Sequence, residues 1–374
     1  MSTFSRTRLM AMARKEVLHL RRDSRSLLLA FLLPALLVVL FGYAITWDVE
    51  DIRTAVLDLD ESSRSRELID AFEASGYFTV VRRLTRQGQV EEVLDRGEAL
   101  VVIVLPPDFA RDLDGGRSAA LQILVDGSDA NSATIALGYA QAIVRSFSTD
   151  VLLRGAELAP TIRAETRVWY NEQLLSRNMI VPGLVAVIMM IIAAMLTSLT
   201  IAREWERGTM EQLVSTPVHR FEVVLGKLLP YVAIGVIDVA LVSVIGVFLF
   251  DVPFRGSAGL LMILSLAFIV GALGLGMFIS AVARSQLLAT QLAMVLTFLP
   301  AFLLSGFMFA IDVMPPALQA ITYLIPARYF LVVTRGVFLK GVGVEVLATE
   351  GLLMIAFAVL GVLGATLAFR KQIQ

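Results

Sequence analysis

The sequence predicts a polytopic α-helical membrane protein with about six transmembrane helices and an α+β extracytoplasmic domain inserted between helices 1 and 2. Composition is the first reason. Of 374 residues, 57% are apolar and 17% charged, where soluble domains run at roughly 45–50% and about 25%. Mean hydropathy is +0.76. The second reason is spacing: the apolar residues gather into runs of about twenty, which span a bilayer core of roughly 30 Å at about 1.5 Å per helical residue. The third is an interruption. Residues 47–178 hold 22 acids against 14 arginines and no lysine, a net of −8, while the rest of the chain carries +7. The overall charge of −1 is therefore an average over unlike parts. These observations exclude a soluble enzyme and a disordered chain.

The chain has no cysteine, so disulfides, thiolate metal sites and a cysteine nucleophile are absent. His19 and His219 are its two histidines and stand far apart, which argues against a histidine metal site. No bound cofactor and no nucleic-acid partner are expected.

Residues 1–26 carry Arg6, Arg8, Arg14, Lys15, Arg21, Arg22 and Arg25, with Leu9, Met10, Ala13, Val17 and Leu18 near helical spacing. This reads as a cytoplasmic amphipathic helix on the membrane surface, its cations facing lipid phosphates. A basic tail that only sets topology is the plainer reading. Residues 27–46 follow as the first span, with Tyr43–Trp47 at its interfacial end. It is too long for a cleaved leader and shows no cleavage site. The upstream cations place the N-terminus in the cytoplasm.

Residues 47–178 alternate short strands and helices. Strands are expected at Arg53–Asp58, Tyr77–Val81, Ala99–Leu105 and Ala120–Val125. Helices are expected at Ser63–Ala74, capped by Ser62 or Ser63, at Gln87–Arg96, at Asp108–Leu113 and from Asp129 onward. Five further apolar runs cover 179–202, 226–250, 258–283, 287–311 and 351–369. An even number of spans and the terminal Arg370–Lys371 return the C-terminus to the cytoplasm. Residues 312–340 are apolar but interrupted by Asp312, Pro315, Pro316, Pro326, Arg328, Arg335 and Lys340. Two forms fit them: a re-entrant pair of half-helices broken near Pro326, or a surface helix.

The most informative segment is the cytoplasmic loop 203–225. Met210, Leu213, Val214 and Phe221 keep helical spacing with charges between them, and Gly208 and Pro217 bracket the centre. Such a short amphipathic helix fits a groove on another protein, whereas the plainer reading is a loop returning to the membrane. The residues Arg203, Glu204, Glu206, Gly208, Thr209, Glu211, Gln212 and Pro217, followed by Gly226–Lys227, resemble the membrane-spanning permease subunit of a type-2 ABC exporter. The resemblance extends to the plan of the whole chain. It implies that Arg203, Glu204, Glu206, Gly208, Thr209, Glu211, Gln212 and Leu213 form or adjoin a coupling helix seated in an ABC ATPase subunit. It also implies that residues 1–26 are a connector helix along the inner surface.

A P-loop is missing. Gly226–Lys227 is the single Gly-Lys pair, Leu228 follows it, and Phe221 occupies the first glycine position. ATP is therefore expected on a separate partner subunit. Six spans are few for an enclosed path, so a second permease chain is expected, as a homodimer or a similar permease, in the bacterial inner membrane among its lipids. Met190, Thr197, Asp238, Gln291 and Thr297 are candidate pathway residues. Asp238 inside a span must face protein or water, as a pathway group or a buried hydrogen-bonded one. The others suit a permissive path or plain helix packing. The second reading of function is a non-transporting receptor or scaffold whose outer domain binds a partner. The substrate is not legible.

Overall fold

The structure, a computed structural model, describes residues 4–45, 51–128, 130–154, 170–171 and 175–369. Trp47, Asp129 and the Arg370–Lys371 end, each used in the sequence reading, lie outside them. The chain divides into two compact units, Trp47–Arg167 and the remainder.

The remainder begins with α1 (Arg6–Arg22), which ends at Asp23, and α2 (Ser24–Ala44). Within α2 the stretch Ala30–Ala44 is apolar but short for a crossing. The helix itself, Ser24–Ala44, takes in most of the expected 27–46 run.

In the inserted unit, β1 (Ile52–Asp58), α3 (Ser63–Ala74), β2 (Phe78–Leu84), α4 (Gly88–Asp95), β3 (Val101–Leu105), α5 (Phe109–Asp114), β4 (Gln122–Val125) and α6 (Ala130–Arg154) follow in order. The sheet order is β2-β1-β3-β4. β1 runs parallel to both β2 and β3, and β4 closes the edge antiparallel to β3. Every residue of β3 is buried because both faces are covered. Val101, Ile103 and Leu105 pack with Phe72 of α3, Phe109 and Ala140 on one face. Val102 and Val104 pack with Val90 and Val93 of α4 on the other. Ser62 caps α3, its Oγ accepting from Ser65 N at 3.0 Å.

Back in the first unit, α7 (Ser176–Glu206) leads to α8 (Met210–Ser215), α9 (Arg220–Phe250) and α10 (Ala258–Ala283). α11 (Gln286–Ala293) continues through a π-helical turn, Met294–Phe298, into α12 (Leu299–Leu303). That span stops short of the expected Ile311, because Gly306 at φ +86° and the turns beside it break the helix. α13 (Pro316–Thr322) and α14 (Pro326–Arg335) come next, then a second π-helical turn, Gly336–Lys340. α15 (Val344–Ala368) starts well before Gly351, since Glu345 and Glu350 sit inside its opening turns. Among the described residues five helices are long and apolar enough to cross a membrane, or six if the bent pair counts as one. The chain is a polytopic helical membrane protein.

Residues 316–340 form that bent pair, two helices at 77°. The break falls just before Pro326, where the sequence places it. Proline cannot donate to the preceding turn and pushes its predecessor out of the helical region.

Glycines set the closest helix contacts. Gly274 of α10 faces Gly361 of α15 so tightly that an added Cβ would lie 2.7 Å from the Gly361 carbonyl carbon. Gly276 leaves the same room for Ala194 and Thr197 of α7. Small residues bring membrane helices near enough for dispersion to bind them.

Candidate coupling site

The segment after α7 folds as its residues require. Gly208 takes φ +70°, a left-handed turn that glycine accepts at no steric cost. α8 follows at once, with Met210 and Leu213 buried and Glu211 and Gln212 exposed. The short helix is amphipathic as expected.

Glu204 has a different setting. Its carboxylate accepts from Lys227 Nζ of α9 and Lys15 Nζ of α1, both at 3.2 Å, and from the Thr209 hydroxyl. It is directed into the chain, where its negative charge is already matched. Glu206 accepts from the backbone N of Gln286 at 2.7 Å and from the Gln286 amide. A carboxylate at the start of α11 satisfies an N–H that the helix leaves open. Arg203 lies 3.6 Å from Asp23. The motif residues therefore divide: Glu204, Glu206 and Thr209 hold the segment in place, Gln212 is exposed at the rim of a cavity beneath α8, and Glu211 is exposed and outside that cavity.

The connector helix is fastened to α9 at two places. Near its start, Arg8 donates to Glu222 at 2.9 and 3.0 Å, and Ser5 N donates to the same carboxylate at 2.6 Å. Glu222 also accepts from His219 N at 2.8 Å in a capping box that opens α9. Its hydrogen bonds raise the pKa of Arg8 above the ordinary value, against the opposing effect of desolvation. Farther along, Lys227 Nζ and Tyr231 Oη both donate to Glu16, each at 3.1 Å. Glu16, Lys227 and Tyr231 are buried. Between these ties α1 crosses α9 at Gly226, where an added Cβ would stand 2.6 Å from Met12 Cβ and 3.1 Å from Leu9 O. The Gly-Lys pair of the sequence motif thus has a physical cause. The glycine admits the crossing helix and the lysine pairs with its carboxylate.

Sequence reasoning assigned no role to Glu16, Tyr231 or Glu222. The one available signal was three polar residues on the apolar side of amphipathic helices. Of the α1 cations expected at lipid, Arg8 is half-buried on Glu222 and Lys15, though exposed, reaches Glu204, while Arg6, Arg14, Arg21 and Arg22 are exposed.

The expected pathway residues do not gather. Met190 is buried in α7. Thr197 is buried and donates to Leu273 O of α10 at 2.7 Å, a packing bond. Thr297 donates to Ala293 O at 2.6 Å within its own helix. Gln291 is exposed. Asp238 is fully buried, and neither carboxylate oxygen has a hydrogen-bond partner among the described residues. Among the described residues no three acidic or histidine groups assemble to hold a metal.

Comparison with known proteins agrees with this plan. The model of the family described as ABC-2 family transporter protein matches residues 25–367. A relative from Escherichia coli K12 named "Probable multidrug ABC transporter permease YbhS" is 38% identical over 355 residues, covering 94% of each chain. Another from the same strain, "Probable multidrug ABC transporter permease YbhR", is 32% identical over 339 residues, covering 91% of this chain and 92% of that one. "Inner membrane transport permease YhhJ", again from that strain, is 28% identical over 324 residues and 85% of each chain. In this family ATP acts on a separate subunit. The chain belongs to the ABC-2 family, as a transmembrane permease subunit of an ABC exporter.

Proposed function

We propose that the chain works in a pair of permeases, a homodimer or a pairing with a similar chain, joined to two ATPase subunits in the bacterial inner membrane. It holds no ATP site of its own, in keeping with the missing P-loop. α1, α8 and both termini lie on the cytoplasmic side, and the Trp47–Arg167 unit lies outside. α8 is the coupling helix, seated in the ATPase. The observation that carries this reading is the divided face of α8: Met210 and Leu213 are buried while Glu211 and Gln212 are exposed. Lys227 links α1, α7 and α9 through Glu16 and Glu204, so a push on α8 moves those helices as a packed body. Two relatives carry "multidrug" in their names, which supports drugs as the cargo class.

Charge reversal on the outward face tests the reading. Glu211→Arg weakens co-purification with the co-expressed P-loop ATPase by roughly tenfold or more, the scale of about 1.4 kcal/mol lost at an interface. Full retention overturns the role given to α8. Glu204→Arg is the poorer probe, since it also breaks the pairs to Lys15 and Lys227. In vesicles holding both subunits, a transported drug raises the rate of ATP hydrolysis.

A further inference from the structure

A cavity of about 530 Å³ opens among α1, α2, α7, α8 and α9. Bound small molecules occupy sites of about 300–1,000 Å³, so the space is of ligand size. None of the five expected pathway residues lines it.

Its wall changes character along its length. One end is apolar: Ala30 and Leu33 of α2 face Ile192, Met195, Leu196 and Leu199 of α7. The other end carries Lys15, Arg203, Arg207 and Lys227. Met195 and Arg203 are eight residues apart on one helix, so the two ends are separated by about 12 Å along α7. An amphiphile has the same division.

The charged end is short of anions. It holds three acids, Glu16, Asp23 and Glu204, against its four cations. Glu16 and Glu204 are taken up by Lys227, and Lys15 shares Glu204. Arg203 meets Asp23 only at 3.6 Å, beyond hydrogen-bonding distance. Its Nε is buried with no hydrogen-bond partner among the described residues. Arg207 is exposed and has no ion pair among them. A guanidinium with an unused fork is the group that binds phosphate or carboxylate.

We propose that this cavity holds one acyl chain of an anionic phospholipid from the inner leaflet, with its phosphate on Arg203 and Arg207. The proposal rests on the reading that α1 and α8 lie at the inner face of the membrane. The lipid completes the wall between the connector helix and α7 and is distinct from the cargo. Removing it loosens the seat of α8.

Native mass spectrometry of the purified full-length permease, without its ATPase, tests this. Phosphatidylglycerol and phosphatidylcholine of the same acyl chains are titrated separately, and inorganic phosphate is added as a competitor. Phosphatidylglycerol binds at roughly tenfold lower concentration, because both lipids bring the phosphate but phosphatidylcholine also carries a choline cation, which cancels its net charge and is repelled by the surplus of cations at this end. Arg207→Gln and Arg203→Gln each remove that preference. Leu199→Trp fills the apolar end and abolishes the adduct, while Leu360→Trp, on the exposed face of α15, leaves it intact. Equal binding of the two lipids overturns the proposal, as does an adduct that survives Leu199→Trp. Displacement by millimolar phosphate reduces the site to an anion site and overturns the acyl part. Should Leu199→Trp fail to fold, Arg207→Gln at a surface position still decides. Because no ATPase is present, the outcome is independent of whether α8 is the coupling helix.

Discussion

Lys227 is 2% exposed and has a carboxylate on either side, Glu16 of α1 and Glu204 of α7. Burying a charge is unfavourable unless it is paired, and removing one partner strands the other. Lys227→Met therefore costs about 3–5 kcal/mol and lowers the unfolding temperature of the purified permease. Glu16→Gln combined with Lys227→Met is less harmful than the sum of the two single changes, because no isolated buried charge is left between them. Additive losses would show that the pair contributes no specific interaction. None of this could be read from the sequence, since Glu16 and Lys227 stand 211 residues apart. A charge on an amphipathic helix looks the same whether it meets solvent or a distant partner. The hydroxyls are ambiguous for a related reason. Thr197 and Thr297 carry the chemistry of a polar path or of plain helix packing; their hydroxyls donate to Leu273 O of α10 and to Ala293 O one turn back in the same helix, as packing residues do.

At the level of elements, periodicity served well. The strands lie within a few residues of the places where β-rich runs between turn residues predicted them, as at Ile52–Asp58 and Val101–Leu105. Ala258–Ala283 coincides with its apolar run. Ends governed by turn geometry were harder, as at Leu303, where a glycine conformation and not composition stops the helix. The crossing of α1 over α9 is also an element-scale feature, and Gly226→Val tests it. The added side chain meets Met12 Cβ and the Leu9 carbonyl, so α1 lifts from α9. Trypsin then cuts at Arg14 and Arg21 several-fold faster than in the unaltered chain. Unchanged cleavage would mean that the Glu222 and Glu16 ties hold the helix without this contact.

For the whole molecule, the division of charge separated the chain into unlike parts and the motif at 203–227 led to the family. The inserted Trp47–Arg167 unit has its own sheet with a core on each face, and topology rules alone assign its side of the membrane. Since the chain lacks cysteine, single cysteines report that side directly. In intact cells a membrane-impermeant maleimide labels Arg83→Cys, on the exposed side of β2. It labels Glu211→Cys only after the cells are opened. The opposite pattern would invert the proposed orientation, and with it the seat of the ATPase.

The fastening of α1 has a consequence in time. α1 leaves the ribosome well before Lys227 and Tyr231, which follow Glu16 by more than two hundred residues. At about 5–20 residues per second, that interval is roughly 10–40 s. Throughout it Glu16 has no lysine or tyrosine to meet. On the proposed orientation the nascent helix rests at the lipid–water boundary, where Glu16 keeps its water, and Met10, Val17 and Leu18, exposed even in the finished fold, give it purchase beside Arg14 and Arg21. On that orientation, the amphipathic face expected at the membrane surface would keep the unfinished chain in position until α9 arrives.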